Sequence, residues 1–147
     1  MKLIKAALAL VAPLILLATP AAADDAVGTH EIASVTARPD YAGQMEGVRF
    51  YFGDEPHPAI SRRIEQDATT SLRTRKLGRS NEEACQWVML SALIQLRDHA
   101  RAVGGNAVVN VRSNWRNVEW SSSTQYQCAA GFLMAGVALK GDVVSLP

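Results

Sequence analysis

The chain has 147 residues, of which 48% are hydrophobic and 20% are charged, and its formal net charge at pH 7 is +1. A charge so close to zero argues against a nucleic-acid-binding protein, which needs clustered positive charge. The length suits one ordinary domain with a hydrophobic core of its own.

Residues 1–23 have the three-part organisation of a secretory signal peptide. Lys2 and Lys5 form a positive start, an apolar run extends from Ala6 to Leu17, and small residues precede the expected cleavage after Ala23. The apolar run is shorter than the roughly 20 residues of a membrane-spanning helix. We therefore expect a periplasmic protein, with neither a membrane span nor a lipid anchor in the mature chain.

The chain contains two cysteines, Cys85 and Cys128. An even count in an exported protein favours a disulfide bond between them. Such a bond would close a loop of about 44 residues, which the chain-entropy model values at roughly 4 kcal/mol. A redox-active pair is the alternative, which is disfavoured because the sequence has no Cys-x-x-Cys motif.

Residues 24–47 are polar and predict an N-terminal arm or an edge strand, ahead of a single α+β domain in residues 48–147. Within the arm, the partial alternation of residues 30–37 is compatible with a short strand. Val48–Phe52 is rich in β-branched and aromatic residues and predicts a strand that ends at Gly53–Pro56. Residues 59–76 alternate weakly and predict one or two further strands.

A basic cluster follows, consisting of Arg73, Arg75, Lys76 and Arg79. We favour its interpretation as a solvated strand and loop. A binding patch is the alternative.

The strongest pattern predicts one long helix from about residue 81 to residue 103. Ser80 and Glu83 have the spacing of a capping box, and Gly104–Gly105 supplies the C-terminal stop. Apolar residues recur at intervals of three and four and form one stripe that must face a sheet. This stripe consists of Cys85, Val88, Met89, Ala92, Leu93, Leu96, Ala100 and Val103.

Three strand-like segments follow the helix. Residues 107–111 are β-branched and can extend to Trp115, residues 119–128 form a second segment, and residues 131–140 form a third that Gly141–Asp142 is expected to end. Strands on both sides of one helix predict an α+β fold, in which the helix packs on a mainly antiparallel sheet.

Asp54, Glu55 and His57 place two carboxylates and an imidazole within four residues. Such a group can bind a metal ion or a small ligand, or transfer protons. Pro56 and Pro58 favour an extended chain with diverging side chains, so a simple turn is the preferred interpretation.

Trp87, Trp115 and Trp120 are candidate partner contacts, because half-exposed aromatic residues often anchor interfaces. Packing over a sheet edge is the favoured alternative. The hydroxyl-rich run Ser121–Thr124 lacks the Gly-x-Ser-x-Gly setting of a nucleophile, and no phosphate-binding loop is present. We therefore expect no enzymatic activity and no cofactor.

Four segments carry a resemblance to a known family: FYFGD (50–54), EEACQW (82–87), GGNAVVNVRS (104–113) and CAAGFLMAGVALKGDVV (128–144). Together they resemble a proteobacterial family of small exported proteins that often carry the label "excinuclease ATPase subunit". The chain lacks the nucleotide-binding motifs that such a label requires.

A more distant similarity is to the YbjQ-like proteins and the Rcs stress-sensor lipoproteins, through a helix, a Gly-x-Asn-Ala-Val-Val strand and a glycine-containing apolar last strand. This resemblance implies a compact α+β fold with a helix against a sheet and, for the sensor lipoproteins, disulfide-stabilised domains that report envelope damage through protein contacts. The chain departs from the sensors because it has no lipidated cysteine. The leading hypothesis is thus a non-enzymatic, exported binding module related to envelope stress, and the alternative is a periplasmic metal- or small-ligand-binding protein.

Overall fold

A computed structural model describes residues 26–147, so the predicted signal peptide lies outside the described residues. The fold is α+β, with one strongly curled sheet and a long helix. In chain order the elements are β1 (Ala26–Glu31), α1 (Ala33–Thr36), α2 (Tyr41–Gln44), β2 (Arg49–Phe52), β3 (Arg62–Arg75), α3 (Asn81–Ala102), β4 (Ala107–Trp115), β5 (Val118–Trp120), β6 (Gln125–Ala130) and β7 (Met134–Ser145). No helix in residues 26–147 is both long and apolar enough to cross a bilayer.

Strand β7 is the centre of the sheet. It pairs along one side with β3 over nearly the full length of both strands. Its other side pairs first with β6 and then with β4, both antiparallel. Strand β1 adds to β6, β2 adds to β4, and β5 folds back on β4 as a hairpin. Because β6 and β4 pair with different parts of the same side of β7, the sheet branches along β7 and curls.

The sheet is mixed, which corrects the prediction of a mainly antiparallel one in one respect: β2 runs parallel to β4. A parallel neighbour needs a long crossover connection. Here β3 and α3 lie in the chain between β2 and β4 and supply that connection. The helix itself matches the prediction, beginning at Asn81 and ending at Ala102, one residue earlier than expected.

Gly141–Asp142 does not end the last strand, which continues to Ser145. Gly141 is required for close packing: a Cβ at this position would lie 2.6 Å from Cγ1 of Val108. Asp142 has a structural role as well, because its Oδ1 accepts a hydrogen bond of 3.0 Å from the backbone N–H of Asp67, where β3 is irregular. Gly141–Asp142 was expected to end the strand because glycine and aspartate commonly do so, and the sequence does not reveal either contact.

Two other boundaries differ from the prediction. Strand β1 ends at Glu31, and residues 33–36 form a helical turn instead of continuing the strand. Ile32 and Val35 are both buried, and their spacing of three suits a helical turn against the core. The segment 119–128 contains two strands, β5 and β6, separated at residues 121–124.

Helix α3 packs its apolar stripe on β3 and β7 to form the main core. All the predicted stripe residues are buried except Val103, which is 37% exposed just beyond the helix. The capping box is present, since Ser80 Oγ accepts from Glu83 N–H and the Glu83 carboxylate accepts from Ser80 N–H, each at 3.1 Å. These two bonds satisfy donors that the first helical turn otherwise leaves unpaired.

We expect Ser80→Ala to lower the free energy of unfolding by about 1 kcal/mol, because it removes the side-chain acceptor of the N-cap. Urea unfolding monitored by circular dichroism measures this change. Ser91→Ala is the matched control, since Ser91 lies within the same helix and bonds only the carbonyl of Trp87. An equal loss in both variants would contradict the role of the cap.

Candidate functional site

Two loops meet at one end of the molecule and form what we call the tip surface. Strand β3 runs antiparallel to β7, with Arg75 opposite Met134, so the loop after β3 lies beside the loop before β7. The tip surface consists of residues 75–79 and 132–134, which line a cleft of about 660 Å³.

The tip surface exposes large apolar side chains to an unusual degree. Phe132 is 92% exposed, Leu77 78%, Leu133 69% and Met134 37%. Eight large apolar side chains are exposed in residues 26–147, and these four are concentrated at this one place. Single exposed apolar residues are ordinary, whereas a contiguous group of them marks an interaction site.

Positive charge lies beside the apolar residues, on the first of the two loops and on the strand before it. Arg75, Lys76 and Arg79 lie in the first loop, and Arg73 lies two residues earlier on an exposed position of β3. From residue 68 to residue 81 the sequence has these four cations and no acidic residue. Within residues 26–147, none of the four forms an ion pair with a carboxylate. No ion pair in this part of the chain therefore neutralises their charge, although Arg73 lies over the Trp115 ring, with its guanidinium 5.4 Å from the ring centroid.

Lys76 joins the two loops. Its backbone N–H donates to the carbonyl of Leu133 at 2.9 Å, and its Nζ donates to the carbonyl of Gly131 at 3.2 Å and also contacts Asn81. Leu77 and Gly78 both have positive φ, 51° and 82°, and turn the chain back towards α3. The exposed side chains are therefore presented by connected loops.

The three tryptophans lie in different settings. Trp87 is 45% exposed, and the guanidinium groups of Arg38 and Arg79 lie 5.9 and 5.3 Å from its ring centroid. Because Arg79 also belongs to the tip surface, Trp87 borders it. Trp120 is half-buried at the end of β5.

Trp115 is buried, at 8% exposure, with Ala129 and Ala138 on the sheet face away from α3. A Cβ at Gly136 would lie 2.6 Å from its ring, so the indole packs directly on the β7 backbone. Trp115 thus packs on the central strand, whereas the favoured sequence interpretation placed the tryptophans over a sheet edge. Among the three tryptophans, Trp87 offers the most accessible ring.

Cys85 and Cys128 form the predicted disulfide, with a Cα–Cα distance of 5.9 Å. It joins the first turns of α3 to β6, and both residues are buried. His30 on β1 lies against the bond and stacks on Tyr126, with ring centroids 5.5 Å apart. His30 and the two sulfurs converge closely enough to resemble a metal site, but both sulfurs are engaged in the disulfide.

Burial lowers the pKa of His30 below its usual value, and the charge of Glu82 opposes this shift. A lowered pKa in the folded state means that the unfolded chain binds more protons, so stability falls as the pH drops through the usual histidine range. We expect His30→Gln to reduce the pH dependence of the unfolding free energy between about pH 7 and pH 5. Chemical denaturation across this range measures it.

His57→Gln serves as the control for that titration, since His57 is exposed. An unchanged slope in His30→Gln, or an equal change in His57→Gln, would contradict the assignment to His30.

Asp54, Glu55 and His57 occupy the turn after β2. Glu55 accepts a hydrogen bond of 2.9 Å from the backbone N–H of Phe52, which closes the turn. His57 Nδ1 lies 2.8 Å from the carbonyl of Pro58, and its ring contacts Tyr51 edge-on. These contacts engage Glu55 and His57 separately, and metal or ligand binding by the three residues stays a prediction.

A histidine–carboxylate pair lies elsewhere, where His99 Nε2 and Glu65 Oε2 are 2.6 Å apart at the surface. This arrangement would suit a general base if a nucleophile lay beside it. Thr69 and Ser71 line the same groove. Yet no hydroxyl among residues 26–147 hydrogen-bonds a histidine, so the pair lacks the nucleophile contact that triad chemistry uses.

Comparison with models of protein families, with curated proteins and with solved structures finds no match to this chain.

Sequence reasoning identified the basic half of the tip surface but missed its apolar half. Residues 131–140 were expected to form one apolar strand, whereas β7 begins at Met134 and leaves Phe132 and Leu133 in the loop. The sequence feature that marks this loop is Gly131, directly after the end of β6. Its backbone N–H donates a hydrogen bond to the carbonyl of Met134 and closes the loop.

Proposed function

We propose that this protein is a non-enzymatic binding module of the cell envelope that engages its partner through the tip surface. The observation that carries this proposal is the concentration of four exposed apolar side chains next to a group of arginine and lysine residues. Envelope location is itself part of the proposal, and the buried disulfide and the sequence of residues 1–23 support it.

The arrangement has the features of a contact surface. Binding becomes more favourable when a partner removes exposed Phe and Leu side chains from water. Arginine and aromatic residues are also the types most enriched at energetically important contacts. Since Lys76 holds the two loops together, the surface requires little ordering when it binds.

Photo-cross-linking in cells tests this proposal. A photoreactive amino acid replaces Leu133 in the tip surface or, as the matched control, Val118, which is 68% exposed in the β4–β5 hairpin. We expect irradiation to attach a cellular component, identified by mass, at position 133 and not at position 118. Equal labelling at both positions, or labelling at position 118 alone, would refute the tip surface as the binding site.

A further inference from the structure

We infer that the tip surface docks on an anionic lipid bilayer, as a peripheral contact that inserts its apolar side chains among the headgroups. This inference rests on the proposed function and names the partner of the same surface. It follows from the apolar residues, from the charges around them and from the size of the surface.

The apolar residues have the exposure expected of a membrane contact. Phe132 and Leu133 are consecutive at a loop end, and Leu77 comes from the neighbouring loop. Peripheral proteins bind bilayers by burying such Phe and Leu side chains at the boundary between headgroups and acyl chains. Residues exposed to 92% and 69% can enter that region without unfolding any element of the sheet.

The surrounding cations complement a surface of anionic phosphates. Arg75 and Arg79 flank the apolar residues, and Arg73 extends the positive charge along β3. Basic residues next to an apolar insertion are the combination that anionic lipids attract. Glu82 and Glu83 begin α3, but the carboxylate of Glu83 accepts a hydrogen bond from the N-cap.

The size of the surface favours a bilayer over a protein. A stable protein interface uses about 20–30 residues on each side. The tip surface has residues 75–79 and 132–134, together with the bordering Trp87. A bilayer needs no complementary shape, so a few inserted side chains and a cationic rim are sufficient for binding.

Vesicle flotation tests the inference with the chain as it is recovered from cells. The protein is mixed with phosphatidylcholine vesicles, or with vesicles that contain about 30 mol% phosphatidylglycerol. We expect binding to the anionic vesicles only, and weaker binding as salt shortens the screening length from about 10 Å at 0.1 M to about 3 Å at 1 M.

Two variants and two matched controls locate the contact. We expect Phe132→Ser and Arg75→Glu each to weaken binding to anionic vesicles about tenfold, through lost insertion and lost attraction respectively. The controls are Val118→Ser, another exposed apolar site, and Arg63→Glu, an exposed arginine at the opposite end of β3. Both controls should bind like the unaltered chain and unfold at the same temperature as the tip variants.

Three results would overturn the inference: no binding to anionic vesicles, equal binding to neutral vesicles, or equal binding by the tip variants and their controls. The cross-linking experiment separates such a failure from a failure of the proposed function. A protein attached at position 133, together with absent vesicle binding, would keep the tip surface as the binding site and replace lipid by a protein partner.

Discussion

Replacing both Cys85 and Cys128 with alanine is expected to lower the free energy of unfolding by about 4 kcal/mol. The bond joins residues 43 apart in sequence, and in its absence the unfolded chain regains the freedom of that loop. Folded proteins of this size have a total stability of about 5–15 kcal/mol. The loss is therefore a large fraction of the total, and it should reduce the folded population markedly at physiological temperature.

Urea unfolding of the double variant and of the oxidised chain measures this difference. Cys85→Ala and Cys128→Ala as single variants are the controls, and each should match the double variant closely because either one already opens the loop. A loss below about 1 kcal/mol in the double variant would contradict the structural role of the bond.

Leu93→Ala is expected to lower the free energy of unfolding by about 2–5 kcal/mol. Leu93 is 0% exposed and belongs to the main core that α3 forms with the sheet, so truncation removes buried apolar surface and leaves a cavity. Urea unfolding with fluorescence detection measures the change.

Leu77→Ala is the matched control, because it removes the same atoms from a side chain that is 78% exposed at the tip surface. We expect its stability to change by less than about 0.5 kcal/mol. A large loss for Leu93→Ala and a small one for Leu77→Ala would show that the Leu77 side chain contributes little to folding and is available for binding. Similar losses in the two variants would show that Leu77 supports the fold.

Features that depend on local sequence were predicted well. The Ser80–Glu83 pair and the three- and four-residue spacing of apolar residues defined α3, since capping and helical periodicity act within a few turns. The disulfide followed from the count of two cysteines, because no other pairing within the chain is available to Cys85 and Cys128.

Features that depend on distant contacts were not predicted. The parallel pairing of β2 with β4 is set by tertiary packing, and neither strand's sequence specifies the direction of its neighbour. Gly141 was interpreted as a strand end, whereas the approach of Val108 explains the glycine. Glycine is typical of both turns and close packing, so the residue type could not distinguish them.

Only the basic residues of the tip surface were identified from the sequence, for a related reason. Charge is visible in a sequence, so the cluster around Arg75 was identified as either a solvated loop or a binding patch. The exposure of Phe132 depends on where β7 begins, and an apolar run that crosses a strand boundary does not show which of its residues are buried.

The central position of β7 has a consequence for how the chain acquires its fold. β7 follows β3, β4 and β6 in sequence and supplies the hydrogen-bonding partner of all three. Pairings between distant segments form slowly, because the entropy of closing long loops is lost before the contacts compensate for it. Until β7 docks, the part of α3 that packs on β7 and the edge of β3 remain uncovered. The time before this final strand adds is thus when the polypeptide is most susceptible to proteases and to self-association.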